Sequence, residues 1–135
     1  MLRNDEIQTA LVAYIKANAN IIAELDAGAD EVREYQWQGT QFTYPNIRVR
    51  MIDNIPLDRN CNHSTIRFSL LVFSEDASSL EANRISGIIN SELHDKSFTY
   101  TSIGFSLWTT NLVPAIRQDA RTWRSEVMME GIASG

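Results

Sequence analysis

The sequence has few of the residues that build disulfides, metal sites and tight turns. Its 135 residues include one cysteine, two histidines, three prolines and six glycines. One cysteine cannot form an internal disulfide, and a structural zinc site needs four ligands. We therefore expect a chain that folds around an apolar core in a reducing compartment, with neither a metal nor a cofactor.

Long apolar runs are also missing. The N-terminal stretch MLRNDEIQTALVAYIKANAN is interrupted by charged and polar residues. No stretch approaches the roughly 18 to 20 apolar residues that a membrane helix needs. The formal net charge of −5 has the wrong sign for a protein that neutralises nucleic-acid phosphates. We expect a soluble intracellular protein with no signal peptide, no membrane segment and no specific binding of nucleic acid.

Catalytic patterns are absent as well. The only cysteine lies in the segment Cys61-Asn62-His63, but a thiol nucleophile needs a base and an orienting third group. The carboxylate pairs Asp5-Glu6, Asp30-Glu31 and Glu75-Asp76 lie at predicted helix starts or in loops, where the helix dipole and solvation explain them. We predict that the protein is not an enzyme and that Cys61-Asn62-His63 belongs to a polar hairpin loop.

Two segments have helical periodicity. Apolar residues recur at helical spacing from Asp5 to Ala17, after acidic residues suited to a first turn. Ser78 and Glu81 match a capping box, and helical periodicity follows them to Leu93. Residues 28–44 mix acids, glutamines and isolated aromatics, so we expect an irregular or partner-ordered connection there.

Four segments alternate between apolar and polar residues as strands do: 47–52, 66–73, 98–108 and 121–130. Residues 53–64 connect the first two as a hairpin loop, Pro114 ends the third strand, and the final IASG is expected to fray. This order predicts one domain, residues 1–135, of the α+β class. We expect an antiparallel or mixed sheet of about four main strands, with two helices packed on one face.

Arginines are concentrated on the polar sides of the predicted strands and in the last segment. One interpretation is that nearby acids such as Asp53, Asp58 or Glu126 neutralise them. The other is that they meet an acidic surface of another subunit, because arginines and aromatics are enriched at interfaces. On this second hypothesis the subunit-interface residues are Arg48, Arg50, Arg67, Arg121, Arg124 and Trp108, and the partner-contact loop contains Asp53, Asp58, Arg59, Asn60 and His63.

The order of elements is similar to that of a known family. A helix IQTALVAYIKANANI is followed by an irregular stretch and the strand YPNIRVRM. A second strand runs directly into a helix in SLLVFSEDASSLEANRISGIINSELHD, and two strands close the chain. This order, over nearly the whole chain, resembles the tail terminator (tail completion, minor tail) proteins of long-tailed bacteriophages.

The resemblance implies a structural protein of the virion, located in the phage tail or neck and made in the host cytoplasm. It implies a homohexameric ring that caps the tail tube, ends tube polymerisation and joins the tail to the head connector. The implied partners are copies of itself, the tail tube protein and a head–tail connector or neck protein, with DNA passing through the channel without specific binding. It implies no catalytic residues.

Two alternatives and an assembly mode accompany this interpretation. The chain could form another neck ring, such as a head–tail connector or head completion protein, or it could be a small intracellular α+β binding domain or enzyme. In a ring each interface is heterologous, with different faces of neighbouring copies in contact. Residues 48–52 or 121–130 could supply one side of it by strand addition.

Overall fold

The helices lie close to their predicted positions in the computed structural model, which describes residues 2–37, 43–57, 59 and 62–135. Helix α1 spans Asn4–Lys16, α2 spans Ala19–Ile22 and α3 spans Leu80–Leu93, with a 3-10 turn at Gly28–Glu31. The predicted capping box of α3 is not formed. Instead, the Glu81 carboxylate accepts a hydrogen bond from the Ser74 hydroxyl at 2.7 Å, which ties the helix start to the preceding strand.

Six strands form one sheet, in the spatial order β1-β2-β3-β6-β5-β4. The strands β1 and β2 are parallel, and all other neighbours are antiparallel. The α+β class is confirmed, but the described residues form six strands and three α-helices instead of about four strands and two helices. The bounds are β1 Val32–Glu34, β2 Asn46–Pro56, β3 His63–Ser74, β4 Lys96–Tyr100, β5 Ile103–Arg117 and β6 Trp123–Ser134.

Several strand bounds differ from the prediction. The predicted strand 98–108 is a hairpin that turns at Thr101-Ser102, where both residues have positive φ (49° and 67°). Strand β5 continues through Pro114, and β6 includes the final IASG as far as Ser134. Much of the predicted loop 53–64 lies in strands, because β2 extends to Pro56 and β3 begins at His63.

Alternate residues of the long strands form one apolar face, and the helices pack against it. On β3 this face carries Ile66, Phe68, Leu70 and Val72, all fully buried. They belong to a single core cluster that also contains side chains from both longer helices, such as Ile7 of α1 and Ile85 of α3. Burial of this apolar face is the main driving force for the fold.

The sheet curls around this core. Helix α1 contacts β1 and β2 near one edge of the sheet, yet its Tyr14 ring stacks on Phe98 of β4, the strand at the other edge, with 3.6 Å between centroids. One helix can touch both edge regions only if the sheet curls. The opposite face of the sheet carries the residues predicted to form an interface.

Candidate subunit interface

The predicted arginines of β2 and β3 lie on the opposite face, but not directly across from one another. Arg48 is paired with Leu71 and Arg50 with Ser69. The pairing shifts by one residue between Met51 and Asp53, so that Asp53 lies opposite Arg67. Without this bulge Arg67 would lie opposite Ile52. The one-residue shift places the acid Asp53 there instead, and opposite charges at facing positions stabilise a strand pair.

Arg48 is buried in its own chain, with a relative exposure of 5%. Its Nη1 donates to the backbone oxygens of Glu31 at 2.9 Å and Ile47 at 3.1 Å, and its Nη2 lies 3.7 Å from a carboxylate oxygen of Glu31. Burial lowers the pKa of Arg48, and the charge of Glu31 opposes that shift. This corrects the expectation that all three strand arginines share a solvated face, since the Arg48 guanidinium holds the end of the 3-10 turn against β2.

Arg50 and Arg67 are paired with acids of the same chain. Arg50 lies 3.4 Å from the Glu126 carboxylate and 5.7 Å from the centre of the Tyr35 ring. Arg67 forms an ion pair with Asp53 across the β2–β3 hairpin. Asp53 and Glu126 are among the nearby acids expected to neutralise the arginines. Within the single chain, Arg50 and Arg67 are therefore paired as the first interpretation predicted.

The β5–β6 turn carries a second group of arginines. Arg117 stacks over Trp123 at 4.8 Å and donates to the Ala120 oxygen at 3.2 Å. The Asp119 carboxylate accepts hydrogen bonds from the backbone N–H groups of Arg121 and Thr122, both at 2.9 Å, and the bond from Arg121 is the main cause of its lowered pKa. Arg121 therefore lies in a turn of defined shape and is exposed.

Two more predicted interface residues are half-buried on the opposite face. Arg124 of β6 lies between Phe73 of β3 and Ile116 of β5. Trp108 of β5 lies opposite Glu130 of β6. These positions in the single chain do not show whether either residue contacts another subunit, so both stay predictions.

The predicted partner-contact loop is divided. Asp53 belongs to β2, while Arg59 and His63 are exposed near the hairpin tip. Asp58 and Asn60 lie outside the described residues, as does Cys61. Within the described part, no cluster of three or more His, Cys, Asp or Glu side chains could hold a metal ion. No helix in the described ranges combines the length and apolar character needed to cross a membrane.

Sequence reasoning missed the exposed apolar side chains. Two of them, Ile52 and Ile116, occupy strand positions next to charged residues, and this mismatch was the available signal. Isolated exposed apolar residues are ordinary, but contiguous groups indicate interaction sites. The large apolar side chains that are exposed among the described residues are Ile52, Ile55, Leu57, Leu80, Leu112, Ile116 and Ile132.

The strand edges also differ from the expectation. The segment 121–130 was a candidate for strand addition, but β6 lies in the sheet interior between β3 and β5, so that prediction was wrong. The two edge strands are short. At one edge β1 pairs with β2 only at Ile47–Val49, and at the other edge β4 pairs with β5 only at Ile103–Leu107. In the described part of the chain, both β2 and β5 therefore extend well beyond their outer neighbours.

An open groove of about 500 Å³ lies between α1 and β1. Val12 and Ala13 of α1 line one side, and Arg33, stacked on Trp37 at 3.7 Å, lines the other. The charged residues that line it, Asp5, Lys16, Arg33 and Glu34, are of both signs.

Comparisons with known proteins find a similar fold in a solved structure. No protein-family model matches the chain, and no curated protein matches it. A chain in the solved virion of a native gene transfer agent particle has the same fold, with a TM-score of 0.70. The alignment covers 96% of this chain and 95% of that chain at 16% sequence identity. At this identity the likeness establishes a shared fold.

Proposed function

We propose that this chain is a structural subunit of a phage-like virion, and specifically a tail terminator. The observation that carries the proposal is the match with a virion chain over nearly the full length of both proteins. A fold alone does not fix a function. A second support is the resemblance of the order and length of the sequence elements to those of phage tail terminator proteins.

The geometry of the opposite face is consistent with an assembly protein. Its central arginines are neutralised by Glu31, Glu126 and Asp53 within the chain. This face therefore offers little unpaired positive charge for DNA phosphates, and the net charge of −5 opposes DNA binding further. A ring of such subunits can surround DNA without retaining it.

The proposed role is to form a ring on the end of the tail tube, which stops addition of further tube subunits and offers a surface to the head connector. Each copy contacts its neighbours through two different surfaces, because a closed ring requires heterologous contacts. We expect six copies in the ring. A connector or head completion ring is the alternative within the same class, and a twelvefold ring would favour the connector.

The test is assembly with the tail tube protein encoded in the same genome. Purified chain is added to polymerising tube protein, and tube lengths and ends are measured by electron microscopy. We expect shorter tubes with sixfold rings at one end. Tubes of unchanged length with bare ends would contradict the tail-terminator proposal, and a stable monomer that binds no virion protein would contradict the structural role altogether.

A further inference from the structure

The opposite face of the sheet carries a small cavity at the start of β2. Its volume is about 210 Å³, and the described residues that line it are Tyr35, Tyr44, Asn46, Arg48 and Phe73. Asn46 and Arg48 are alternate residues of β2, and Asn46 is paired with Phe73 of β3, so these three side chains share the face. The Tyr35 N–H donates to the Val49 oxygen at 2.9 Å, which holds Tyr35 against β2.

The side-chain oxygen of Asn46 is buried in the wall of this cavity without a donor. Asn46 is 2% exposed, and its Nδ2 donates to the Thr43 oxygen at 3.3 Å. Its Oδ1 accepts no hydrogen bond from any residue that the structure describes. Leaving a buried acceptor without a donor costs stability, so native proteins supply a partner at nearly every such atom. A cavity beside this atom is where the missing donor can enter.

The polar side chains of the cavity restrict which group can supply that donor. The Arg48 guanidinium lines the cavity and is fixed by the backbone oxygens of Glu31 and Ile47, so an entering cation would be repelled. A carboxylate would turn its own lone pairs toward Asn46 Oδ1, because an ionised carboxylate only accepts hydrogen bonds. A carboxamide suits both residues, since it has an N–H to donate and an oxygen that a cation attracts.

The size and the walls of the cavity favour one amino-acid side chain as the occupant. Small-molecule sites have volumes of roughly 300–1,000 Å³, and this cavity is smaller. Tyr35, Tyr44 and Phe73 are each half-buried and provide aromatic walls that can cover methylene groups. A glutamine or asparagine side chain combines a short methylene stem with a terminal carboxamide.

We propose that this cavity binds the carboxamide of a glutamine or asparagine side chain presented by another protein chain. The amide N–H donates to Asn46 Oδ1, the amide oxygen faces the Arg48 guanidinium, and the methylene stem lies among the three aromatic rings. This inference goes beyond the proposed function, because it assigns a contact chemistry to the opposite face that does not depend on a ring or a tail tube.

The test is an NMR titration of the purified chain with three probes of similar size. Propionamide reproduces the glutamine side chain, 2-butanone keeps the oxygen without the N–H groups, and propionate carries a charge without an N–H. We expect propionamide to shift the Asn46 side-chain amide signals and the ring signals of Tyr35, Tyr44 and Phe73, with saturation in the millimolar range. The other two probes should bind about tenfold more weakly, because neither can donate to Asn46.

Two variants separate the cavity from a general effect of losing a buried asparagine. Asn46→Leu removes the acceptor at similar volume, so propionamide and 2-butanone should then bind equally weakly. The control is Asn54→Leu on the same strand. Asn54 Oδ1 is also buried without a partner among the described residues, and its Nδ2 donates to the Leu2 oxygen at 3.1 Å, but Asn54 does not line the cavity. This control should keep the preference for propionamide, and circular dichroism and thermal melts verify both folds.

A peptide shows whether the carboxamide can arrive on a protein chain. Acetyl-Ala-Ala-Gln-Ala-Ala-amide should shift the same signals, whereas the same peptide with methionine in place of glutamine should not. No saturable shift, which would mean that trapped water alone satisfies Asn46, overturns the inference. Equal binding of the three probes, or a preference for propionamide that survives in Asn46→Leu, overturns it as well.

Binding of propionamide without binding of the glutamine peptide overturns the protein partner and assigns the cavity to a free small amide. All of these measurements use the single chain in solution. The tail-terminator proposal is tested separately on tail tubes, so the failure of one proposal is distinguishable from the failure of the other.

Discussion

The two faces of the sheet are buried by different means. On the apolar face, side chains such as Phe68 and Leu70 lie against the helices and need no polar partner. On the opposite face, Arg48 is enclosed with Glu31, and Leu71 is fully buried outside the main core cluster. The first face depends on hydrocarbon packing and the second on charge pairing. The second face should therefore be the more sensitive to loss of a charged partner and the more tolerant of lost volume.

The largest expected loss of stability follows from breaking the Arg48–Glu31 pair of the second face. Arg48→Ala leaves the Glu31 carboxylate buried and unpaired, and we expect it to lower the free energy of unfolding by about 3–5 kcal/mol. Urea denaturation measures the change. Replacing both residues, as Arg48→Met with Glu31→Met, should recover much of the loss because no unpaired charge remains. A single variant as stable as the unmodified chain would mean that the pair is solvated.

The neighbours Leu70 and Leu71 compare the faces directly, since both are fully buried on adjacent positions of β3. Leu70→Ala removes volume from the helix-covered core, and we expect a loss of about 2–5 kcal/mol. Leu71→Ala should cost less, because half-buried Phe73 and the stem of Arg48 can move into the space. Thermal and urea unfolding of both variants give the ranking. An equal or larger loss for Leu71→Ala would show that the second face is packed as rigidly as the first.

Gly131 tests how closely β6 and β5 approach on the apolar face. A Cβ atom at this position would lie 2.5 Å from the Ser106 backbone oxygen and 2.6 Å from Leu107 Cδ2. Gly131→Ala must therefore displace backbone, and we expect a loss of about 1–3 kcal/mol. The control Gly87→Ala, at an α3 position where a Cβ meets nothing within 4 Å, should be neutral or stabilising.

The exposed Arg67–Asp53 ion pair on the second face should contribute little to the stability of the fold. The Arg67 side chain is 55% exposed, and its pairing with Asp53 is open to water and salt. We expect Arg67→Ala to change the free energy of unfolding by about 0–1 kcal/mol. The same variant should leave ring assembly unchanged, because Asp53 of the same chain already pairs with the Arg67 guanidinium. Loss of rings with an intact fold would restore Arg67 to the interface predicted from the sequence.

The smallest effect concerns Asp119 in the β5–β6 turn. Its pKa is lowered in the folded chain by hydrogen bonds from Arg121 and Thr122. A lowered folded pKa contributes stability above the unfolded pKa, and that stability is lost as pH falls through the folded pKa. The stability difference between the unmodified chain and Asp119→Asn should therefore shrink on acidification. A carboxyl titration by NMR with an unshifted or raised pKa would contradict the turn geometry.

Much of the architecture could be predicted from local pattern. The helix predicted to end at Leu93 does so, and the two central strands lie where alternation placed them, because a buried face imposes periodicity on the sequence. The hairpin at Thr101-Ser102 was missed, since two-residue turns with positive φ usually contain glycine or asparagine and this one contains neither. Pro114 was taken to end β5, whereas proline is tolerated at an edge that makes no ladder bond.

The candidate interface could be predicted only in part. The sequence shows arginines on β2 and β3, but not that Glu31 is positioned beside Arg48 or that a bulge brings Asp53 opposite Arg67. Those contacts depend on how distant segments meet. The exposed apolar side chains of β2 and β5 were missed for the same reason, since their exposure depends on where the outer strands β1 and β4 stop.

The part of the β5 edge that extends beyond β4 is blocked against strand addition, and this affects how the protein behaves in solution. A bare strand edge of this length would recruit further strands without limit, in the way that cross-β fibrils grow. A proline and the side chains of Asn83 and His94 occupy the positions from which such growth would begin. On the proposed function, subunits stay dispersed until they join a particle, and this blocked edge removes one route by which they would aggregate first.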